Sequence, residues 1–155
     1  IGFAGFATYP DLLRALSELQ AERSYSFLGI AEELGLGSVV GNGLVFLVGG
    51  GLLVGCVLFA RRDDDARSFT CAVAATLALS PIVWLHYLVA LLVPMAILRP
   101  RFSALWLLPV LLWVSPKPGY AEGLPTVMPA IAAAVLVAVL LARPRGRAAV
   151  VEASV

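Results

Sequence analysis

SVVGNGLVFLVGGGLLVGCVLFA, residues Ser38 to Ala60, runs for 23 residues without a charged side chain. At about 1.5 Å per residue a helix of that length reaches roughly 35 Å, enough to cross a hydrocarbon core of ~30 Å. It is the clearest membrane span in the chain. Its glycines, among them Gly51 and Gly55 at GxxxG spacing, lack a Cβ and so let a neighbouring helix approach closely. Packing is their expected use rather than a ligand.

The composition around this run agrees with it. Of 155 residues, 61% are hydrophobic and 14% charged, with a mean hydropathy of +0.95, whereas a soluble domain averages roughly 45–50% and about 25%. A soluble globular domain is excluded, and so are a disordered chain, which needs low hydrophobicity, and a disulfide-stapled one, which needs more than two cysteines. Lys and Arg number 11 against 10 Asp and Glu, so the net charge sets up no field for a nucleic-acid partner. The chain opens on Ile1, without the basic stretch, apolar core and cleavage site of a signal peptide, and reads as a fragment of a longer protein. Ten arginines against the single Lys117 suit a GC-rich coding sequence.

Past the charged stretch Arg61 to Arg67 comes a second uncharged run, Ser68 to Leu98, of 31 residues. As one helix it would reach roughly 46 Å, too long for a comfortable span. Ser80-Pro81 interrupts it, and proline both removes a helix hydrogen bond and disfavours helical geometry in the residue before it. The run is therefore one kinked helix or a tight pair, and charge placement arbitrates. With two spans, Arg61, Arg62, Arg67, Arg99, Arg101, Arg143, Arg145 and Arg147 share one side, leaving Arg14, Arg23 and Lys117 on the other. With one span the split is far weaker and inverts the favoured orientation. Because Lys and Arg in short loops favour the cytoplasmic face, the hairpin is the better reading.

Two further segments are expected. Phe102 to Val114 has only 13 residues, roughly 20 Å, and must extend, sit in a thinned region or be partly re-entrant. Thr126 to Ala142 follows the breaker-rich loop Ser115 to Tyr120. The expected fold is thus all-α, a multi-pass transmembrane bundle of about five segments: Ser38 to Ala60, Ser68 to Ser80, Ile82 to Leu98, Phe102 to Val114 and Thr126 to Ala142. Residues 1–37 form an extracytoplasmic amphipathic or interfacial region, 38–142 the transmembrane region and 143–155 a basic cytoplasmic tail. Within 1–37, Thr8 is a candidate cap with Pro10 in the first turn and Leu12, Leu16 and Leu19 on one face. Ser26 is a candidate cap for a second short helix stopped by Gly35. Such helices either lie on the outer membrane surface or merely connect spans.

Chemistry concentrates at Ser80-Pro81-Ile82-Val83-Trp84-Leu85-His86-Tyr87, where a proline break, interfacial aromatics and the only histidine coincide. An ionisable residue beside the membrane is a functional candidate, and an imidazole can hydrogen-bond or charge-pair with a phosphate. The plain alternative is an interfacial histidine that caps a helix or meets water. Asp63-Asp64-Asp65 satisfies a bare DxD pattern, but arginines flank it and no α/β domain surrounds it, so it reads as a solvated, charge-balanced loop. Cys56 and Cys71 show no metal-binding grouping and read as packing residues. No metal and no cofactor is expected.

The Ser-Pro-x-x-Trp-x-His-Tyr turn at Ser80 to Tyr87, flanked by short spans and followed by a Leu-rich helix with the internal Pro94, resembles the C-terminal half of glycosyltransferase family 87. The stretch from Phe6 through Leu13 and Arg14 to Ser24-Tyr25-Ser26 and Gly35 is also similar to that family, over roughly Gly2 to Leu98 in all. The family comprises polyprenyl-phosphate-mannose-dependent mannosyltransferases of the GT-C type. The resemblance implies a partial GT-C fold in a bacterial plasma membrane. It further implies a hexosyltransferase that moves a sugar, mannose by analogy, from a polyprenyl-phosphate donor to a lipid-linked or glycolipid acceptor outside the cell. It maps His86, with Tyr87 and Trp84, onto the donor-phosphate site. The catalytic base it implies is an aspartate in an early outer loop, upstream of this chain, which leaves the fragment inactive alone; Glu32, Glu33 and Glu122 are poor substitutes. A reading from a different class is a transporter or membrane-scaffold segment in which the Pro81 break lines a path. Repeated halves and several intramembrane charges, which that class usually shows, are not seen.

Overall fold

The computed structural model describes residues 4–20, 24–107 and 124–142. Among them there are six α-helices and no strand: α1 (Ala4–Gln20), α2 (Phe27–Glu33), α3 (Gly37–Ala60), α4 (Asp65–Leu79), α5 (Leu92–Leu98) and α6 (Leu124–Leu141). A seven-residue 3-10 helix, Leu85–Leu91, runs directly into α5, and a short one covers Ala104–Leu107.

Helix α3 is the apolar run with one glycine added at its start. Its most apolar 18-residue window has a mean hydropathy of 2.4 and is only 6% buried. A core helix of a soluble protein would be covered; this one leaves Val39, Phe46, Leu47 and Val54 bare. Among the described residues it is the one helix long and apolar enough to cross a membrane.

The covered side of α3 is a seam of small residues. A Cβ at Gly41 would lie 2.9 Å from the Leu28 Cα of α2, one at Gly49 would overlap Leu79 Cδ2, and one at Gly55 would lie 3.2 Å from Cys71 Sγ. Gly51 meets nothing within 4 Å. The GxxxG pair therefore contributes only Gly55; the seam passes on the other side of that residue, through Gly49. Helix α4 answers with Thr70, Cys71, Ala74, Ala75 and Ala78, all buried. Small side chains on both partners allow close approach of the two helix backbones and extensive van der Waals contact between them.

The α3–α4 turn is built from its own residues. Asp63 sits in the left-handed region at φ 54, which an aspartate tolerates better than most side chains. Asp64 caps α4, its Oδ1 accepting from Arg67 N at 3.2 Å, and its carboxylate pairs with the Arg67 guanidinium. Asp65 occupies the first turn, where negative charge suits the helix dipole. Ser68 Oγ donates to the Cys56 carbonyl at 3.0 Å, tying the two helices together one turn further in. The DxD pattern is thus a helix-connecting turn.

At the other end of α4 the expected break appears. Ser80 leaves the helix with extended backbone, and after Trp84 the chain returns as the 3-10 helix and α5, which pack against α4. Ser68 to Leu98 is a hairpin, not one helix. Helix α6, which covers the expected Thr126 to Ala142 segment as far as Leu141, packs beside both arms. Its Ala132 and Ala133 lie against Tyr25, Val83 and Leu88, and its Leu136 and Leu140 cluster with Leu91 and Met95. It therefore runs parallel to α5, and Arg99 Nη2 donates to its Val139 carbonyl at 3.4 Å. At about 1.5 Å per α-helical and ~2.0 Å per 3-10 residue, α4 spans roughly 22 Å, Leu85–Leu98 roughly 25 Å and α6 roughly 27 Å, each short of a ~30 Å core. Of the expected Phe102 to Val114 segment, residues 102–107 include the 3-10 turn; residues 108–114, the Ser115 to Tyr120 loop and the 143–155 tail lie outside the described residues.

At the N-terminal side, α1 begins at Ala4, so Pro10 lies inside the helix rather than in its first turn. Thr8 is consequently no cap, and its Oγ1 donates to the Gly5 carbonyl at 3.2 Å. Tyr9, Leu12, Leu16 and Leu19 remain exposed. For α2 the capping expectation holds: Ser26 Oγ accepts from Gly29 N at 3.2 Å. Its end is a Schellman turn, with Gly35 at φ 69, Leu36 N donating to the Ala31 carbonyl at 2.8 Å and Gly35 N to that of Glu32 at 3.0 Å.

Candidate functional site

The turn that carries His86 begins with Ser80, whose hydroxyl donates to the Ile82 carbonyl at 2.6 Å and shapes the backbone around Pro81. Trp84 is extended and half-buried, and its carbonyl accepts from Tyr87 N at 2.9 Å, opening the 3-10 helix. Seven residues is long for this conformation, which is usually found in pieces of three or four. Pro94 gives a reason: in an α-helix its ring would clash with the Ala90 carbonyl and its missing N–H would leave that acceptor without its bond, which favours a tighter winding before it.

The winding decides what each side chain does. Side chains three apart eclipse in a 3-10 helix, so Leu85, Leu88 and Leu91 form one ridge. Leu88 and Leu91 are buried, while His86, Tyr87, Val89 and Ala90 face outward. Tyr87 is 42% exposed. The His86 and Tyr87 rings meet edge to face, with centroids 4.7 Å apart and planes at 82°. An imidazole and a phenol thus stand side by side on the exposed face of the 3-10 helix, two hydrogen-bonding groups able to address one phosphate. Of the three residues expected at a donor-phosphate site, His86 and Tyr87 touch, and Trp84 joins them through the backbone.

The turn is also held from a distance. Ser24 Oγ accepts from Val83 N at 3.0 Å, across 59 positions of sequence, and Tyr25 N donates to the Val83 carbonyl at 2.8 Å. Beneath these bonds Tyr25, Val83 and Leu88 form a buried cluster with Leu77, Leu85, Ala132 and Ala133 packed around it. Ser24-Tyr25-Ser26 and Ser80 to Tyr87 stand far apart in sequence, and no local pattern pairs them. A serine beside a tyrosine, outside any helix yet buried, is a signal only once burial is known.

The remaining candidates lie apart. Asp63, Asp64 and Asp65 occupy the opposite end of α4, roughly 22 Å along its axis from Ser80. Glu32 and Glu33 end α2, and Glu122 lies outside the described residues. Cys56 and Cys71 are unbridged in the α3–α4 seam. Among the described residues, no three His, Cys, Asp or Glu side chains are grouped to hold a metal ion.

Compared with protein-family models, curated proteins and solved structures, the chain matches none. What the structure defines is a class: an all-α chain, over its described residues, with one candidate membrane-spanning helix, Gly37–Ala60.

Proposed function

We propose that this chain is the C-terminal membrane part of a GT-C-type glycosyltransferase that moves a hexose, mannose by the family resemblance, from a polyprenyl phosphate to a lipid-linked or glycolipid acceptor on the extracytoplasmic face. The observation that carries the reading is the exposed His86–Tyr87 pair at a proline-broken turn, at the opposite end of the hairpin from Arg61, Arg62 and Arg67. A multi-pass arrangement in a bacterial plasma membrane is part of it. Helix α3, α4, the Leu85–Leu98 arm, the Phe102 to Val114 segment and α6 are the membrane segments, the shorter ones sitting in locally thinned lipid. The arginine-rich end then faces the cytoplasm, while α1 and α2 lie at the outer surface with Tyr9, Leu12, Leu16 and Leu19 toward lipid.

In this reading the acceptor hydroxyl attacks the anomeric carbon, the bond to the phosphate oxygen breaks with inversion, and the polyprenyl phosphate departs with the electron pair. A carboxylate supplied from outside this chain takes the hydroxyl proton. His86 and Tyr87 hydrogen-bond the phosphate as its charge grows, and Trp84 seats the turn at the interface. Near hydrocarbon such bonds count for more than in bulk water, because the local dielectric is low.

The test is sugar transfer from a polyprenyl-phosphate donor by the full-length protein. His86→Ala should slow transfer about a hundredfold, the scale of losing one charge-stabilising donor, and His86→Gln, which keeps a donor, should lose less. Near-normal transfer by stably folded His86→Ala protein returns this residue to an interfacial helix cap, and absence of transfer by the unmutated protein favours the transporter or scaffold class.

A further inference from the structure

We infer that Ser24 is a positioning residue for the His86 turn, so that the segment entering α2 sets where the donor phosphate is met. The inference rests on the reading of that turn as the donor site, but it has a geometry of its own. Ser24 is 4% exposed, and its hydroxyl oxygen accepts two backbone N–H groups, Val83 N at 3.0 Å and Ser26 N at 3.2 Å. One oxygen therefore fixes the residue three positions before His86 and the residue that caps α2.

Tyr25 N returns a bond to the Val83 carbonyl at 2.8 Å, so Val83 is gripped through both its backbone groups. Pro81 has no N–H to contribute, and Ile82 and Trp84 sit in irregular backbone. The Val83 pairing is thus the tie that orients the first turn of the 3-10 helix. Removing the Ser24 oxygen leaves two buried N–H groups without it, which favours opening of the segment toward water. His86 and Tyr87 would then lose their fixed direction while keeping their chemistry. Ser24 reaches them through its bond to the Val83 N–H.

Two readouts on the full-length protein in membrane vesicles separate this inference from the donor reading. The first is positional: with Cys56 and Cys71 replaced by alanine, Val83→Cys, at a position only 2% exposed, is labelled by a membrane-impermeant maleimide, with and without Ser24→Ala. Labelling should quicken about fivefold to tenfold in the Ser24→Ala background, the scale of one net hydrogen bond, and Ser24→Thr, which keeps the oxygen, should restore the slow rate. The second is kinetic: with Val83 intact, Ser24→Ala should raise KM for the donor by a similar factor and leave kcat within about twofold, since the reacting groups remain.

Unchanged labelling overturns the inference. So does quickened labelling with an unchanged donor KM in an enzyme that His86→Ala cripples, because the turn then moves without consequence. If labelling quickens while His86→Ala transfers normally, the donor reading fails and the positioning of the turn by Ser24 stands. Hydrogen exchange of the unmutated chain needs no variant to fold: the Val83 amide should be protected relative to that of Trp84, and equal exchange overturns the inference.

Discussion

The two ends of α4 solve the same problem, reversing the chain, by opposite means. The Arg61–Asp64 turn is local: Asp64 caps α4 and pairs with Arg67 three residues on, and Arg61 N closes onto the Val57 carbonyl at 3.0 Å. The Ser80–Trp84 turn borrows its order from Ser24 and Tyr25, and leads into a 3-10 helix whose outer face is exposed. A self-contained turn tolerates change elsewhere in the molecule. A turn held from afar can be moved by whatever moves its distant partner, and sites are commonly built on such irregular segments over a rigid scaffold.

That contrast is open to being broken. Tyr25→Ala should have the larger effect, about 3 kcal/mol lost by analogy with other buried aromatics, because Tyr25 is 7% exposed and packs on Val83 and Leu88. Thermal unfolding in detergent micelles would measure the loss, and an unperturbed midpoint would mean that the Val83 turn stands by itself. Asp64→Ala should cost only about 1 kcal/mol, the worth of one helix cap. Its pairing with Arg67 adds to this without dominating it: the Arg67 and Asp64 side chains are 13% and 23% exposed, so water still reaches the pair and screens it. If Asp64→Ala destabilises more than Tyr25→Ala, the assignment of local and borrowed order to the two turns is reversed.

The same division explains what could be read from sequence. The long apolar helix α3, the Pro81 break, the Ser26 cap and the Gly35 stop depend on neighbours within a few positions, and each is in place. Thr8 and Pro10 misled because proline in a first turn and proline within a helix look alike when the preceding residues, here Ala4 to Phe6, are weakly patterned. The seam along α3 was half visible: glycine spacing marked Gly55, but whether Gly49 or Gly51 faces α4 depends on which side α4 occupies. The candidate site was legible as residue types in one turn. Its edge-to-face pair and outward face were not, since both follow from 3-10 winding, which an α-helical reading of Ile82 to Leu98 does not contain. Least legible was the Ser24–Val83 bond, which no periodicity encodes.

If the two ends of α4 differ in function as they do in construction, they lie on opposite sides of a membrane, and that is the claim on which the rest depends. It is tested by placing single cysteines, in a full-length protein lacking Cys56 and Cys71, at Asp63 in the arginine-rich turn and at Tyr87 on the exposed face, and labelling intact cells with an impermeant maleimide. The account predicts labelling at position 87 and none at position 63 until the cells are permeabilised. Labelling of both positions in intact cells, or of position 63 alone, would contradict it.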